Sequence, residues 1–346
     1  MPEAASDRSA AGAVVAAIGE RALIARIRNR LQPAPKWLIV DAGDDAAVVE
    51  PFRNELEAIT TDAIVDGVHF DRRFTPARSI GHRAVAVNLS DLAAMGARPR
   101  LITLSLALPG DLPLDDFDAL IEGAIAMAER AGVRLIGGNI TQTAGPLVAD
   151  VTAIGSVHRR RVLLREGAMP GDYIFVSGTV GDARAGLAML SLTGEKPAGT
   201  PAGAVAHYLQ PEPRIRLGIL LARNRAATAA VDLSDGLADG LARLSEASGL
   251  GCEIDAGALP VSDEARDFWR ARDADPAREA VAGGDDYELL FTARPRDRGR
   301  LRTVARQCAP LPLTRIGVVT RSADLMLVRP DGSREPIGGG YEHFGT

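Results

Sequence analysis

The sequence predicts a mixed α/β protein, α+β in its layout, divided into two domains. Three observations carry that reading. The chain has 346 residues, 46% of them hydrophobic, enough for about two cores of ~150 residues each. Short apolar runs with strand character alternate with helical spacing along most of the length. Five oxygen-rich stretches stand where a strand-like run ends or a helical pattern begins: Gly43-Asp44-Asp45, Thr60-Thr61-Asp62, Asn88-Leu89-Ser90-Asp91, Asp232-Leu233-Ser234-Asp235 and Gly283-Gly284-Asp285-Asp286.

The elements follow in order. Ala22, Leu23, Ile27 and Leu31 set a helix over 20–31. A short strand at 37–40 delivers Asp41–Asp45 into a loop, and extended character resumes over 46–50 and 57–61. A loop with Asp66, Gly67 and His69 follows. A helix is expected over 79–95, with Gly96 as its terminator. On it Asn88 and Asp91 share one face among small apolar neighbours. That face is either a surface or a place where the carboxylate is paired or bound to metal. A strand covers 101–108, and Pro113 opens a helix that ends before Gly132. A buried strand at 133–136 is expected to end at Gly137-Gly138-Asn139, so that Asn139 emerges at a strand end. Another strand covers 148–157.

The Arg-rich segment 158–165 and the turn at 168–172 mark the domain boundary, giving domains 1–157 and 158–346. A strand at 173–177 and a helix at 183–192 flank Gly178-Thr179-Val180-Gly181-Asp182, a loop type that can hold an anion at a helix N-terminus. The segment 191–203 is a surface excursion. A helix at 214–223, a strand at 226–231 and a helix at 237–248 come next, with Ser234 or Asp235 as the natural cap of the last. Capping explains Ser234 and Asp235 but not Asp232. Further strands fall at 251–254, 287–292, 313–319 and 325–328, with a helix over 295–308.

Composition narrows the chemistry. A formal net charge of -5 gives no reason to expect nucleic acid. The only lysines, Lys36 and Lys196, follow no Gly-x-x-x-x-Gly pattern, which excludes a P-loop. Cys252 and Cys308 form no Cys-x-x-Cys motif. No stretch is long enough to span a membrane, and residues 10–19 lack the basic flank of a signal peptide. The chain reads as a soluble cytoplasmic protein. Hard oxygen donors packed this closely suit a hard cation such as Mg2+, which keeps waters and shares its other positions with phosphates. Several carboxylates converging on one site repel one another unless cations neutralise them, and two or more Mg2+ ions with the polyphosphate of ATP meet that need. Arg165 would add a fixed positive fork for phosphate. No Ser–His–carboxylate arrangement supports covalent catalysis.

Seven motifs in order give the sequence a family resemblance. They are Gly43-Asp44-Asp45-Ala46; Thr60-Thr61-Asp62; His69-Phe70; Ala86-Val87-Asn88-Leu89-Ser90-Asp91-Leu92-Ala93-Ala94-Met95-Gly96; Asp232-Leu233-Ser234-Asp235-Gly236-Leu237; Gly283-Gly284-Asp285-Asp286-Tyr287-Glu288-Leu289; and Gly340-Tyr341-Glu342-His343-Phe344. Over about residues 22–344 the chain resembles the thiamine-monophosphate kinases. They belong to the superfamily of aminoimidazole ribonucleotide synthetase and selenophosphate synthetase. The resemblance implies a two-domain synthetase-like fold, with N-terminal strands that join into a β-barrel across a homodimer and a C-terminal α/β domain. It implies ATP-dependent phosphorylation of thiamine monophosphate to thiamine diphosphate with several Mg2+ ions. Position by position it implies Asp45, Thr60, Thr61, Asp62, Asp91, Asp232 and Asp235 as magnesium ligands, with Asn139 at one more such position. It implies Gly138, Asn139, Arg165 and Ser234 as ATP contacts, and His69, Asp285 and Tyr341 as contacts to thiamine phosphate, with no residue as general base.

Two positions depart from the family. Asn139 stands where the family has aspartate, which offers a metal a dipole and no charge. Asp285 stands where the family often has glutamate, one methylene longer. Two other readings follow: another ATP-using enzyme of the superfamily with a different acceptor, or a nucleotide-binding regulator of weak activity, which Asn139 favours.

Overall fold

The structure, a computed structural model, describes residues 12–338, so Tyr341 lies outside the described residues. Helices α1 (Val15–Ile18) and α2 (Glu20–Arg28) precede a hairpin of β1 (Leu38–Val40) and β2 (Val48–Val49). Then come β3 (Leu56–Val65), α3 (Ala77–Ala94), β4 (Arg98–Pro109), α4 (Leu114–Arg130), β5 (Arg134–Thr143) and β6 (Val148–Val157). Strands β3, β6, β4 and β5 form one open sheet in that order, with β4 and β5 parallel and the other pairs antiparallel. Among the described residues no sheet closes on itself.

The second half holds β7 (Tyr173–Ser177), α5 (Asp182–Thr193), α6 (Gly203–Leu209), α7 (Ile215–Asn224), β8 (Ala229–Asp232) and α8 (Leu237–Ser248). It continues with β9 (Gly251–Asp255), α9 (Asp263–Arg270), α10 (Pro276–Ala282), β10 (Leu289–Ala293), α11 (Arg298–Cys308), β11 (Leu313–Thr320), β12 (Leu325–Val328) and β13 (Arg334–Pro336). These strands build a seven-stranded sheet in the order β13-β12-β9-β11-β7-β10-β8, antiparallel except for β12 beside β9.

Helix α3 is the hub. It is buried nearly all round because the first sheet, α4, α7 and the β8 edge each take one of its sides. Such a helix must be apolar on every face, and Ala84–Val87, Leu89 and Leu92–Ala94 supply that. Gly81 lets α4 approach closely, since a Cβ there would sit 1.8 Å from the Leu120 carbonyl oxygen. The polar residues of α3 are therefore the informative ones. Arg83, Asn88 and Ser90 are fully buried, and each has a partner outside the helix.

Two strands run further than the sequence pattern indicates. The strand expected over 57–61 continues to Val65, because its whole length pairs with β6 from Leu56↔Val157 to Val65↔Val148. The strand expected to stop at Ile136 continues through Gly137-Gly138-Asn139 to Thr143, held by parallel pairing with β4 at Leu104↔Gly138 and Ser105↔Asn139. Asn139 thus projects from the middle of a strand, not from its end. Glycine pairs weaken a strand locally, and here tertiary pairing overrides that weakness. The helices α6, α9 and α10 were not expected from the sequence. All are short, and two begin on side-chain caps from Ser262 and Asp275.

Candidate functional site

A cleft of about 440 Å³ opens between β3, the His69 loop, the Ser234-Asp235 loop and the Gly284–Tyr287 segment. Its lining includes Asp62, His69, Ser234, Asp235 and Asp285, five of the residues singled out from sequence. The alternation of β3 decides which of its oxygens reach this side. Thr60 and Asp62 face α3: the Thr60 hydroxyl donates to Asp91 at 2.5 Å, and the Asn88 amide oxygen accepts the Asp62 backbone N–H at 2.9 Å. Thr61 faces the opposite side, where its hydroxyl lies 3.2 Å from an Asp150 oxygen.

Strand β8 ends at the edge of its sheet on Asp232, a buried carboxylate that accepts the Ser90 hydroxyl at 2.8 Å. Ser90 and Asp91, adjacent on α3, therefore face Asp232 and Thr60 respectively. Neither Ser234 nor Asp235 caps α8: the cap position is Gly236 and no side chain bonds there. Gly236 has φ +97 and packs so close to Gly283 that a Cβ would meet its carbonyl at 2.0 Å. Beside this tight crossing Ser234 and Asp235 line the cleft. Asp235 is held by Arg243 at 2.9 Å.

Electrostatics mark the Asp62–Asp232 end as short of positive charge. Burial first, then the Asp91 charge, push Asp232 up to about 7, against relief from the Ser90 hydrogen bond and the Arg165 charge. Burial and Asp91 likewise push Asp62 up to about 6, with Asp235 and Asp150 adding to the rise. Asp62 keeps an exposed side, so water and salt soften its share. Among the described residues no three His, Cys, Asp or Glu side chains close on a common point as a metal site of protein ligands alone. An ion that keeps waters and phosphate oxygens needs no such shell, and under-neutralised carboxylates beside a hydroxyl are a donor set that fits Mg2+.

The other end of the cleft is built from the His69 loop and Asp285. His69 Nδ1 accepts the Val65 backbone N–H at 3.1 Å, so the neutral ring carries its proton on Nε2. Asp66 is used locally, accepting from the Arg72 backbone N–H and forming an ion pair with its side chain. The segment 285–288 is zipped to the β8 end by Asp285 N–H to Ser234 O at 2.7 Å and Tyr287 N–H to Leu233 O at 2.9 Å. Asp285 and Tyr287 have positive φ, 68 and 50, which a non-glycine residue adopts only under local constraint. Those two reversals separate three neighbouring acids. Asp285 faces the cleft, Asp286 accepts the N–H groups of Gly181 and Ala183 at 2.7 and 3.2 Å, and Glu288 binds Arg214 and Ser177. The anion position expected at the start of α5 is therefore filled by the chain's own carboxylate.

Four expected residues lie elsewhere. Asp45, Gly138 and Asn139 line a hollow of about 830 Å³ on the open face of the first sheet, beneath α2 and the β1–β2 loop. Thr61 is on that same sheet face, in the row Thr61↔Thr152↔Thr103↔Gly137. Arg165 is exposed and reaches the cleft through its charge on Asp232. Sequence reasoning missed three partners, Asp150, Arg243 and Arg83, the last paired with Asp285 at 2.8 Å, and it named Asn88 and Ser90 within an oxygen-rich stretch without giving either a site role. Asn88 and Ser90 had a signal, as polar residues on an otherwise apolar helix. Asp150 had only the alternation of β6.

Known proteins resemble this chain along nearly its whole length. The profile of the AIR synthase related protein N-terminal domain matches residues 43–157, and that of the C-terminal domain matches residues 169–328. The thiamine-monophosphate kinase of Salmonella typhimurium is 38% identical over 332 residues, 95% of this chain and 99% of its relative. The crystal structure of thiamine-monophosphate kinase from Stenotrophomonas maltophilia superposes with a TM-score of 0.77 at 39% identity, over 90% of this chain and 95% of the other. A ThiL protein complexed with AMPPCP and TMP superposes with a TM-score of 0.73 at 32% identity, over 95% and 98%. Matches of this identity over nearly the whole of both chains place this protein in the thiamine-monophosphate kinase family.

Proposed function

We propose that this chain transfers the terminal phosphoryl group of ATP directly to thiamine monophosphate, giving thiamine diphosphate. The observation that carries the reading is the polarity of one cleft. Asp62 and Asp235 line one end with Asp91 and Asp232 beside them, four carboxylates against the two arginines Arg243 and Arg165, and His69 and Asp285 line the other end. Asp62, Asp91, Asp232 and Asp235, with Thr60, would hold several Mg2+ ions. Bound there, the ions supply charge neutralisation for the transferring phosphoryl group. Asp45, Thr61 and Asn139 are proposed as further metal contacts on the open-face side. Gly138, Asn139, Arg165 and Ser234 are proposed as ATP contacts.

The protein's own part is positioning. His69 donates to the acceptor phosphate, Asp285 faces the cationic portion of the acceptor, and Tyr341 is proposed as a further contact there. A phosphate monoester has its second pKa near ~6 and is mostly ionised at neutral pH, so no general base is required. The proposed division is residues 1–157 and 158–346, with the cleft between them. The proposed location is the cytoplasm; none of the described helices is long and apolar enough to cross a membrane.

A homodimer belongs to the same proposal. Strand β3 is an edge strand, and Ile59 on its open face is 64% exposed. Ile39 and Val48 of the neighbouring hairpin are also exposed. An apolar edge of this kind calls for a partner, and a second copy would continue the sheet toward a barrel. Light scattering should give twice the chain mass; a monomer at every concentration removes this part.

The test of the activity is ADP formation by the full chain with Mg2+, with and without thiamine monophosphate. Acceptor-dependent turnover is expected. Asn139 favours one competing reading, a nucleotide-binding regulator, and tight ATP binding with no acceptor-dependent turnover at any Mg2+ concentration would put that reading in its place.

A further inference from the structure

We propose that Arg83, a residue with no place in the phosphoryl-transfer machinery above, is the positioning residue that fixes the acceptor end of the cleft, joining the His69 loop and Asp285 into one wall. The inference rests on the proposed activity for the identity of the acceptor.

Arg83 is the largest fully buried side chain among the described residues, and it sits on the hub helix α3. A buried guanidinium is costly unless its donors are matched. Here the two terminal nitrogens serve three separate segments at once, while Nε is buried without a hydrogen-bond partner. One terminal nitrogen, Nη2, donates to Asp285 Oδ1 at 2.8 Å and lies 3.3 Å from the His69 carbonyl oxygen. The other, Nη1, donates to the carbonyl of Tyr208 at the end of α6. The guanidinium also stacks 4.5 Å from the centre of the Tyr208 ring.

Tyr208 closes the figure, since its hydroxyl donates to the same His69 carbonyl at 3.3 Å. On the other side Tyr287 donates to Asp285 Oδ1 at 3.3 Å. Both bonds to Asp285 end on Oδ1, which leaves Oδ2 as the oxygen a ligand can use. Asp285 and Tyr287 are the two residues of this segment in the left-handed region, so the backbone alone does not prefer this pose. Arg83 adds a side-chain anchor to the backbone bonds that run from Asp285 and Tyr287 to Ser234 and Leu233. Lysine presents a point charge and cannot fork to three acceptors in fixed directions. The arrangement matters because both elements that meet the acceptor hang from loops, and Arg83 ties each to a buried helix.

The experiment measures thiamine monophosphate binding by calorimetry and steady-state constants for both substrates, in wild type, Arg83→Met, Arg83→Lys, Asp285→Asn and the double variant Arg83→Met/Asp285→Asn. We expect Arg83→Met to raise the acceptor Kd and KM by about tenfold or more, with the ATP KM within about twofold of wild type. Arg83→Lys should recover part of that loss. The double variant should lose no more than the worse single one, because the two residues act as a unit. An acceptor KM at the wild-type value in folded Arg83→Met overturns the role. So do losses that multiply in the double variant, or equal losses for both substrates, the mark of general loosening. If Arg83→Met does not fold, Arg83→Lys carries the test, and an unchanged acceptor KM there overturns it. Wild-type protein that binds ATP but not thiamine monophosphate overturns the acceptor assignment, and this inference with it. Wild-type binding with indifferent variants overturns the Arg83 role alone.

Discussion

The two ends of the cleft solve opposite electrostatic problems. At the Asp285 end two carboxylates have a counter-charge in place, Asp285 with Arg83 and behind it Glu288 with Arg214, while the buried Asp286 is held by the backbone N–H groups of Gly181 and Ala183. At the Asp232 end four aspartates face one another, and the arginines lie at the rim, Arg243 on Asp235 and Arg165 acting on Asp232 from an exposed position. The matched end is preorganised and has no need of a ligand to be stable. The unmatched end is strained by repulsion until a cation arrives. A site that must recognise one acceptor and release a charged product benefits from keeping these functions apart. Under the proposed function, rigidity would select the acceptor and the unmatched end would hold the affinity for Mg2+ and polyphosphate.

Breaking the unmatched end should give the largest effect. Asp91→Ala removes the charge that touches both Asp62 and Asp232 and leaves the Thr60 hydroxyl without its acceptor. Asp62→Ala removes a carboxylate that lines the cleft. Each variant should lower kcat by about a thousandfold or more, as removal of transition-state charge stabilisation does, with a cooperative melting curve retained. Near-normal turnover in either folded variant would show that the cluster is not the reacting site.

A second way to sharpen the contrast is to measure the repulsion. Asp232 is pushed up to about 7 in the folded chain, above the ordinary carboxylate value of 3.8. Its contribution to stability is therefore fully present below about pH 4. That contribution is lost as pH rises through 7, because the folded state must then give up a proton that the unfolded state has already released. In chelator at pH 8, Asp232→Asn should be more stable than wild type by roughly 1–3 kcal/mol, and at pH 4 the two should melt together. Saturating Mg2+ should narrow the gap at pH 8 by binding wild type more tightly. Turnover by Asp232→Asn should be lost throughout. Asp285→Asn in the same melts should show no such gain, since its charge is already matched. Equal melting of wild type and Asp232→Asn at pH 8 without metal would remove the claim of stored repulsion.

The sequence made the motifs legible and left their geometry hidden. The α/β alternation, the edges of β6, β7, α8 and β12, and the acids near the cleft can all be read from local pattern. In Gly283–Glu288 the reading stops. Three acids within four residues look equivalent, and only two left-handed residues send one to the cleft, one to the α5 N-terminus and one to Arg214. No periodicity encodes that. Partners were hidden for a different reason. Arg83 and Asp285 are 202 positions apart and Ser90 and Asp232 are 142 apart, so only the packed hub helix brings them together. The separation of Asn139 from the cleft was equally illegible, because which face of a strand a residue takes depends on register, and that of Asp45 depends on where the β1–β2 loop packs.

Asn139 offers a smaller perturbation of the same contrast. It projects into the open-face hollow from a strand position opposite Ser105. If that hollow serves the metal-bound nucleotide, Asn139→Asp adds one full negative ligand and should lower the Mg2+ concentration for half-maximal activity several-fold, on the order of 1 kcal/mol per charge at partial exposure. Acceptor preference should not move, since the matched end is untouched. A changed acceptor preference with an unchanged Mg2+ midpoint would assign the open face a part in acceptor choice.

The smallest expected effect comes from Asp150, which links the two faces. It stands on β6 between Ala63 of β3 and Ser105 of β4, and Ser105 in turn pairs with Asn139. One of its oxygens is 3.2 Å from the Thr61 hydroxyl, and its charge is the weakest of the contributions that raise Asp62. Asp150 therefore adds negative potential to β3 from the side opposite the cleft. Removing it as Asp150→Asn keeps a hydrogen-bond acceptor for Thr61 and deletes only charge. The charge is half-exposed and screened, so the Mg2+ midpoint should rise by about twofold, with kcat and the acceptor KM unchanged. The same substitution at 0.5 M salt should do almost nothing, because added ions screen a contribution of this kind at a Debye length of about 4 Å. A fall in kcat as large as that of Asp91→Ala would mean that Asp150 touches the reacting groups. The charge-starved region would then extend through the sheet to its open face, and the two ends of the cleft would no longer be the right units to compare.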